Sequence, residues 1–436
     1  MTINIPSTQQ KRVIIIGGGF AGLELAKRLS NTAYQVVLLD KNNYHQFQPL
    51  FYQVATAGLE PSSIAFPLRK LFQDASNVFI RITSVDSINE AAQEINTPLG
   101  SLHYDYLVVA IGADTNFFGN DHIAKNVIPM KSVAEALYLR NTIFQDYEYA
   151  LTTTDTNERQ SYSDIVIVGG GPTGVELAGA LAEMKHYILP KDYREMNVRE
   201  VDIYLVQSGD LLLKGMSENA GKRAGEFLTE MGVKILYNAR VTDYDGEQVT
   251  MGDGSTIRSK KVIWAAGIIG NKIGGFPTEA QTFGGRLAVD DYMQVKGCKN
   301  VFALGDIAYL EEGTFTKGHP QVAQVAIQQA KVLAKNLLQT LKKSKKQETS
   351  FELSDWKKFA YKDLGSMATV GRHLAVVDLP RFKFQGFFAW MVWLFVHLFA
   401  IVGVKNKLFV FLNWVWNYFT HDQSLRLIIK PRVRRM

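Results

Sequence analysis

Short, mostly apolar runs recur along this chain at 13–16, 35–39, 106–111, 165–168, 201–206, 261–266 and 300–304. Their length predicts strands, and the unbroken apolar character of 106–111 is that of a parallel strand covered on both faces. Apolar residues at helical spacing follow at 23–29, 175–186 and 322–341. The polar stretch 145–163 reads as a helix end and an exposed loop, and the charged stretch 342–348 as an exposed breakpoint. From 387 the pattern changes. Residues 387–404 are almost uninterruptedly hydrophobic, with His397 their one ionisable group, and a second run covers 408–419 with Trp414, Trp416 and Tyr418.

Two of the strand-to-helix junctions carry nearly the same sequence. The first is Gly17-Gly18-Gly19-Phe20-Ala21-Gly22, and the second is Gly169-Gly170-Gly171-Pro172-Thr173-Gly174. A strand, a glycine turn and a helix are the setting in which GxGxxG binds a dinucleotide. The first glycine permits the turn, the second lets backbone approach a pyrophosphate, and the third lets the helix pack on the strand. The helix N-terminus then offers N–H groups and a partial positive charge to the phosphates. Asp40 ends the strand after the first turn, where a ribose hydroxyl is usually held, about 20 residues beyond the glycines. The equivalent position in the second copy is the neutral Gln207. Glutamine hardly repels a 2′-phosphate, so the second site should separate NADH from NADPH less sharply.

Other candidates are more ambiguous on their residues alone. Strand 106–111 closes on Gly112, with Ala110 near its end, which brings backbone close to a ligand. Asp306, after a strand and a glycine, suits a helix cap and equally a ribityl chain. Gln324 and Gln328 lie four apart on one helix face beside small alanines, which suits a flat ligand or a polar stripe in water. Glu176 shares its place in the repeat with Glu24, so a structural role and a chemical one both remain open.

The chain has 436 residues, 47% hydrophobic and 21% charged, enough for two or three folded domains. Its lone Cys298 cannot form an intramolecular disulfide or a cysteine-based cluster, and no metal site is expected. Seven basic residues fall between Lys405 and Arg435, opposed by Asp422. Beside so many aromatic residues they favour an anionic lipid surface over nucleic acid. The first ten residues contain no apolar signal core, so no secretory leader is expected.

Two dinucleotide sites in one chain imply a tightly held flavin and a nicotinamide that comes and goes, with hydride transfer between them. The chain here resembles the two-dinucleotide-binding-domain flavoproteins, and within them the type II NADH:quinone oxidoreductases. Tyr44-His45, Gln48-Pro49-Leu50, Tyr52-Gln53-Val54-Ala55-Thr56, Trp264-Ala265-Ala266-Gly267 and Ala323-Gln324-Val325-Ala326-Ile327-Gln328 carry the resemblance. It implies an α/β fold with two Rossmann-like domains and a C-terminal membrane-associating helical region. The expected divisions are 1–128 with 275–345 for non-covalent FAD, 129–274 for NAD(P)H, and 346–436 for membrane anchoring.

The resemblance further implies that Gly17, Gly19, Gly22, Asp40, Lys41, Val85, Gly112, Asp306 and Ala323 contact FAD, with Phe20, Ala21 and Ala110 as further candidates. Gly169, Gly171, Gly174, Glu176, Gln207 and Gly267 would border NAD(P)H. Gln324 and Gln328 would border the headgroup of a membrane quinone, menaquinone or ubiquinone. The implied protein is a non-proton-pumping dehydrogenase on the cytoplasmic face of the cell membrane, and its C-terminal region could also form a homodimer. A soluble ferredoxin or rubredoxin reductase and a slowly turning-over NADH-binding interaction protein are the alternatives. Thiol–disulfide chemistry is excluded by the lone cysteine, which also disfavours a sulfide:quinone oxidoreductase.

Overall fold

The computed structural model describes residues 2–345, 355–420, 422 and 425–429. In chain order, the first elements are β1 (Arg12–Ile16), α1 (Phe20–Leu29), β2 (Gln35–Asp40), α2 (Phe51–Ala55), β3 (Val78–Ile82) and β4 (Tyr106–Val109). Next come β5 (Ile128–Pro129), α3 (Val133–Thr152), α4 (Thr156–Ser163), β6 (Ile165–Val168), α5 (Pro172–Tyr187), β7 (Ile203–Val206), β8 (Lys234–Leu236) and β9 (Val262–Trp264). The last are β10 (Val301–Ala303), α6 (Ala323–Lys345), β11 (Ser366–Thr369), β12 (Ala375–Asp378), β13 (Lys383–Gln385), α7 (Phe387–Ala400) and α8 (Val404–Thr420).

The chain forms two compact units. One comprises Met1–His45, Phe66–Asp114 and Ile268–Asp363; the other comprises Gln46–Ala65, Thr115–Gly267 and Leu364–Met436. This division differs from the three expected domains, because the aromatic segment after His45 and the C-terminal region both pack on α5.

The first unit is built on a parallel sheet of order β10-β4-β1-β2-β3. Val13, Ile14 and Ile15 of β1 and Val36 to Leu39 of β2 have no exposure at all. Each such side chain contributes roughly 1.5–3 kcal/mol of hydrophobic stabilisation, which makes this strand pair the centre of the unit. Helices α1 and α6 lie against each other beside it. Helix α6 runs past the expected end of its apolar pattern to Lys345, and the rest of the expected breakpoint lies outside the described residues.

The second unit repeats the plan, with sheet order β5-β9-β6-β7-β8, again all parallel. Much of the expected loop 145–163 is helical. Helix α3 continues to Thr152, and α4 starts afresh because the Asp155 side chain accepts from the Glu158 N–H. Ser161 and Ser163, polar in sequence, are buried there and donate their hydroxyls to the carbonyls of Glu158 and Arg159.

The same unit contains the antiparallel sheet β11-β12-β13. Its β11–β12 turn approaches α5 so closely that a Cβ on Gly179 would stand 2.4 Å from the Gly371 nitrogen. Helix α7 packs on β12, and α8 packs on the short helix Pro61–Ile64, where Asn406 donates to the carbonyls of Ser62 and Ser63. The expected single run 387–404 is broken at 401–403, where Gly403 takes φ 85°. Among the described residues no helix is long and apolar enough to cross a membrane.

Candidate functional site

In the first unit the glycine turn is shaped by close backbone approaches. A Cβ on Gly17 would sit 2.3 Å from the Ala110 carbonyl oxygen, and one on Gly22 would sit 1.8 Å from that of Gly17. No other residue fits at either place. Gly19 and Gly112 are different, since a Cβ there would meet nothing within 4 Å. Their lack of a side chain leaves open space rather than relieving a clash. Gly19 caps α1 without any side-chain hydrogen bond, so the first N–H groups of the helix face that space.

Asp40 ties the turn to β2. Its Oδ2 accepts from the Gly18 N–H at 2.6 Å and its Oδ1 from the Asn42 N–H at 2.6 Å. A carboxylate has about four acceptor positions, so capacity for a ribose hydroxyl remains. Burial raises its pKa, while the two N–H bonds oppose the shift. Beneath the turn, His45 is buried with Nδ1 2.9 Å from the Gly18 carbonyl, and burial depresses its pKa to about 4, so the ring is neutral. Sequence reasoning quoted this histidine without giving it a role; its place beneath Gly18 is the one it fills.

Asp306 follows Gly305, which takes φ 73°; a Cβ there would sit 3.2 Å from that of Ala326 and 3.7 Å from that of Ala21. The Gln321 side chain donates to the Asp306 carbonyl at 2.9 Å, and that of Gln329 accepts from the Gly305 N–H at 2.7 Å. This places Asp306 and the start of α6, including Ala323, beside the first turn of α1 with its Phe20 and Ala21. Lys41 is exposed just beyond β2, and Val85 is half-buried just beyond β3. A glycine turn, an uncapped helix start, a ribose-height carboxylate and open space at Gly19 and Gly112 together fit an adenine dinucleotide.

Gln324 and Gln328 are both half-buried on α6 of this unit. Gln328 is braced on both ends of its amide: Nε2 donates to the Lys362 carbonyl at 2.9 Å and Oε1 accepts from the Lys362 N–H at 3.1 Å. That reciprocal pair secures the segment before Asp363 to the helix.

The second unit builds the matching turn with the same bonds. A Cβ on Gly174 would stand 1.9 Å from the Gly169 carbonyl oxygen, and one on Gly169 2.6 Å from that of Ala265. Gln207 Oε1 accepts from the Gly170 N–H at 3.0 Å, as Asp40 does in the first copy, and its Nε2 donates to the Leu211 carbonyl at 3.0 Å. A cleft of about 980 Å³ opens here, lined by Gly169 to Gly171, Gln207, Trp264, Gly267, Phe118 and Arg240 among others. Arg240 is the one charged lining residue among the described residues, and the sequence does not mark it because it reaches the cleft through the pairing of Ala239 N–H with the Gln207 carbonyl at 3.0 Å.

Glu176 lies apart from that cleft. It lines a small cavity of about 70 Å³ with Gln48, Pro49, Tyr52, Lys131 and Thr173. Burial pushes its pKa up to about 8, opposed by the Thr369 N–H at 3.5 Å and by the nearby Trp393 indole. Trp393 Nε1 is buried and meets no partner with hydrogen-bond geometry. With burial outweighing both neighbours, the carboxyl is mostly protonated near neutral pH. Gln324 and Gln328, expected at the quinone, thus lie in the first unit, and Glu176, expected at the nicotinamide, lies in the second.

Cys298 is buried, with its thiol pKa pushed up to about 11 by burial and by the charges of Glu90 and Glu279. Among the described residues no group of His, Cys, Asp and Glu could hold a metal ion.

Residues 11–330 match the family model of the pyridine nucleotide-disulphide oxidoreductases, and residues 364–421 match that of the NDH2 C-terminal domain. The type II NADH:quinone oxidoreductase Ndh of Mycobacterium tuberculosis is 35% identical over 418 residues, covering 93% of this chain and 88% of the relative. The NdhA protein of the same organism is also 35% identical, over 92% of this chain and 86% of its own length. In fold, the chain is similar to NDH2 of Plasmodium falciparum solved with NADH, with a TM-score of 0.85 at 20% identity over 97% of this chain and 100% of that one. With both the nucleotide-binding part and the C-terminal part matched in one continuous chain, the protein belongs to the type II NADH:quinone oxidoreductases.

Proposed function

We propose that the first unit holds FAD at Gly17, Gly19, Phe20, Ala21, Gly22, Asp40, Lys41, Val85, Ala110, Gly112, Asp306 and Ala323. The observation that carries this reading is the doubled turn: the same close approaches and the same bond into the turn occur twice, once ending in Asp40 and once in Gln207. FAD bound there supplies the chemistry of accepting a hydride from reduced nicotinamide and passing two electrons to a quinone. The second unit binds NADH through Gly169, Gly171, Gly174, Gln207 and Gly267. The balanced reaction is NADH, one proton and quinone giving NAD+ and quinol, with no proton pumped.

The protein residues bind, orient and manage the proton. The α1 N-terminus and the turn receive the pyrophosphate, and Asp40 receives the ribose. Gln324 offers its amide to a quinone carbonyl, while Gln328, braced by Lys362, fixes the face of α6 on which Gln324 stands. Glu176, protonated near neutral pH, holds within the second unit one proton of the kind that quinol formation consumes.

The exposed apolar side chains of α7 and α8 support attachment to a membrane, which we place at the anionic, cytoplasmic face of the cell membrane, where menaquinone or ubiquinone would be met. Phe388 is 78% exposed and Phe419 76%, an exposure that water penalises and a bilayer interface does not. Part of the basic tail is already engaged, since Arg426 pairs with Asp192 at 2.5 Å and Asp422 at 2.8 Å. The residues from Lys430 onward lie outside the described residues. Steady-state oxidation of NADH by the FAD-loaded protein with a menaquinone analogue tests this reading. Quinone-dependent oxidation is expected, and its absence with every quinone tried would refute it.

A further inference from the structure

Glu176 is not the sole enclosed carboxyl on its helix. Glu183 follows it by seven residues, two turns further along the same stripe of α5, and its side chain is 13% exposed. Where Glu176 meets a tryptophan, Glu183 meets a cation. Arg372, from the β11–β12 turn, donates its backbone N–H to Glu183 Oε1, and its Nε stands 3.9 Å from the same oxygen. Burial raises the Glu183 pKa to about 7, held below that of Glu176 by the Arg372 charge.

Glu183 and Arg372 line a cavity of about 80 Å³ together with Tyr52, Gln53, Thr369 and Asn417. A water needs about 10–15 Å³ of such space and two to four polar partners, so the cavity has room and donors for several. Two residues link it to Glu176. Thr369 lines the cavity and turns its N–H toward Glu176 Oε1 at 3.5 Å. Tyr52 lines both this cavity and that of Glu176, and its phenol feels the charge of both carboxylates. The other titratable group lining the cavity is Tyr418 of α8.

We propose that Glu183 and its cavity form the route by which Glu176 regains a proton in each turnover. The inference rests on the reading that this protein reduces a quinone. NADH brings two electrons and one proton, whereas quinol needs two electrons and two protons, so one proton enters from water per cycle. That proton binds the Glu183 carboxylate, crosses the cavity water and settles on the Glu176 carboxylate, replacing the one that Glu176 has given up in the same turnover. No other oxidant or reductant is required. Glu183 therefore acts through Glu176.

The test uses FAD-loaded, full-length protein carrying Glu183→Gln, which preserves an acceptor for the Arg372 N–H but cannot titrate. Quinone-dependent kcat is expected to fall about a hundredfold, the lower end of the range for loss of a proton-transfer group. Reduction of the bound flavin by NADH in stopped flow should slow far less. The fall of log kcat with rising pH, near 7 in the unaltered protein, should disappear. Arg372→Gln, which removes the cation and leaves the carboxyl, should move that inflection to higher pH, a change that loss of a purely structural contact does not produce. If Glu183→Gln does not load FAD, the Arg372→Gln profile decides alone. Unaltered kcat and profile in Glu183→Gln, or an unmoved inflection in Arg372→Gln, would overturn the proposal. Absence of quinone turnover in the unaltered protein would instead remove the functional reading, and this inference with it.

Discussion

Asp40 and Gln207 occupy the same place in two copies of one motif and make the same bond into the glycine turn, at 2.6 and 3.0 Å. What separates them is charge. A carboxylate at the second position would accept from a ribose 2′-hydroxyl and repel a 2′-phosphate, whereas Gln207 leaves Arg240 as the one charge lining the cleft. Gln207→Glu should therefore raise the NADH-to-NADPH ratio of kcat/KM by about tenfold, the order expected of one charged contact. Arg240→Gln should move the ratio the same way by weakening NADPH alone. Unchanged ratios in both would contradict this account of the position. The pair was legible in the sequence because strand, turn and helix are contiguous and their spacing is fixed by local geometry. The seven-residue spacing of Glu176 and Glu183 was equally visible, but Arg372 lies 189 residues away in sequence and reaches Glu183 only through tertiary packing. The Lys362 brace on Gln328 escaped notice for the same reason, since backbone partners leave no mark on residue type.

At the scale of elements, the strands were the easiest to read and the C-terminal helices the least complete. An apolar run of strand length allows few alternatives, whereas 387–404 gave no sign that the helix stops at Ala400 and restarts at Val404. With 14 residues, α7 is about 21 Å long, short of the ~30 Å hydrocarbon core. Phe388, Phe395 and Phe399 recur at seven and four residues and are 78%, 63% and 61% exposed, forming one stripe along it. Replacing all three by Ser should lower binding to anionic vesicles at least about tenfold, given roughly 1.5–3 kcal/mol per fully buried apolar side chain. NADH reduction of the flavin should be unaffected. Vesicle binding at the unaltered level would show that this stripe does not face lipid. In 145–163 the expected helix end is present, but the expected loop is largely helical, because its polar residues cap and buttress a helix that propensity alone does not favour.

At the scale of the molecule, Glu176, Glu183, His45 and His397 bear on the response to pH. Burial raises Glu176 to about 8 and Glu183 to about 7, so between pH 4.5 and those values the folded chain holds more protons than the unfolded one. Their contribution is complete at acid pH and is lost as pH rises through the folded values. His45 and His397 are both depressed to about 4, so their contribution is complete above 6.5 and is lost as pH falls toward 4. Asp164, raised by burial to about 6, acts in the same sense as the two glutamates; the two effects oppose one another from about 4.5 to 6.5, and from there to pH 8 the glutamates dominate. Stability should fall by about 2–3 kcal/mol from pH 6.5 to 8, at about 1.4 kcal/mol per proton per pH unit. Thermal melting across that range should show a declining Tm, and Glu176→Gln should flatten the decline; a rising Tm would mean the carboxyls are ionised in the folded protein.

The central claim, that one chain carries electrons from nicotinamide through a flavin to a quinone, is tested most directly by anaerobic double-mixing stopped flow. NADH is added first to the FAD-loaded protein, and a menaquinone analogue second. Flavin absorbance should be lost on the first mixing and restored on the second at least as fast as steady-state kcat. Loss of absorbance that quinone restores no faster than buffer would contradict the account.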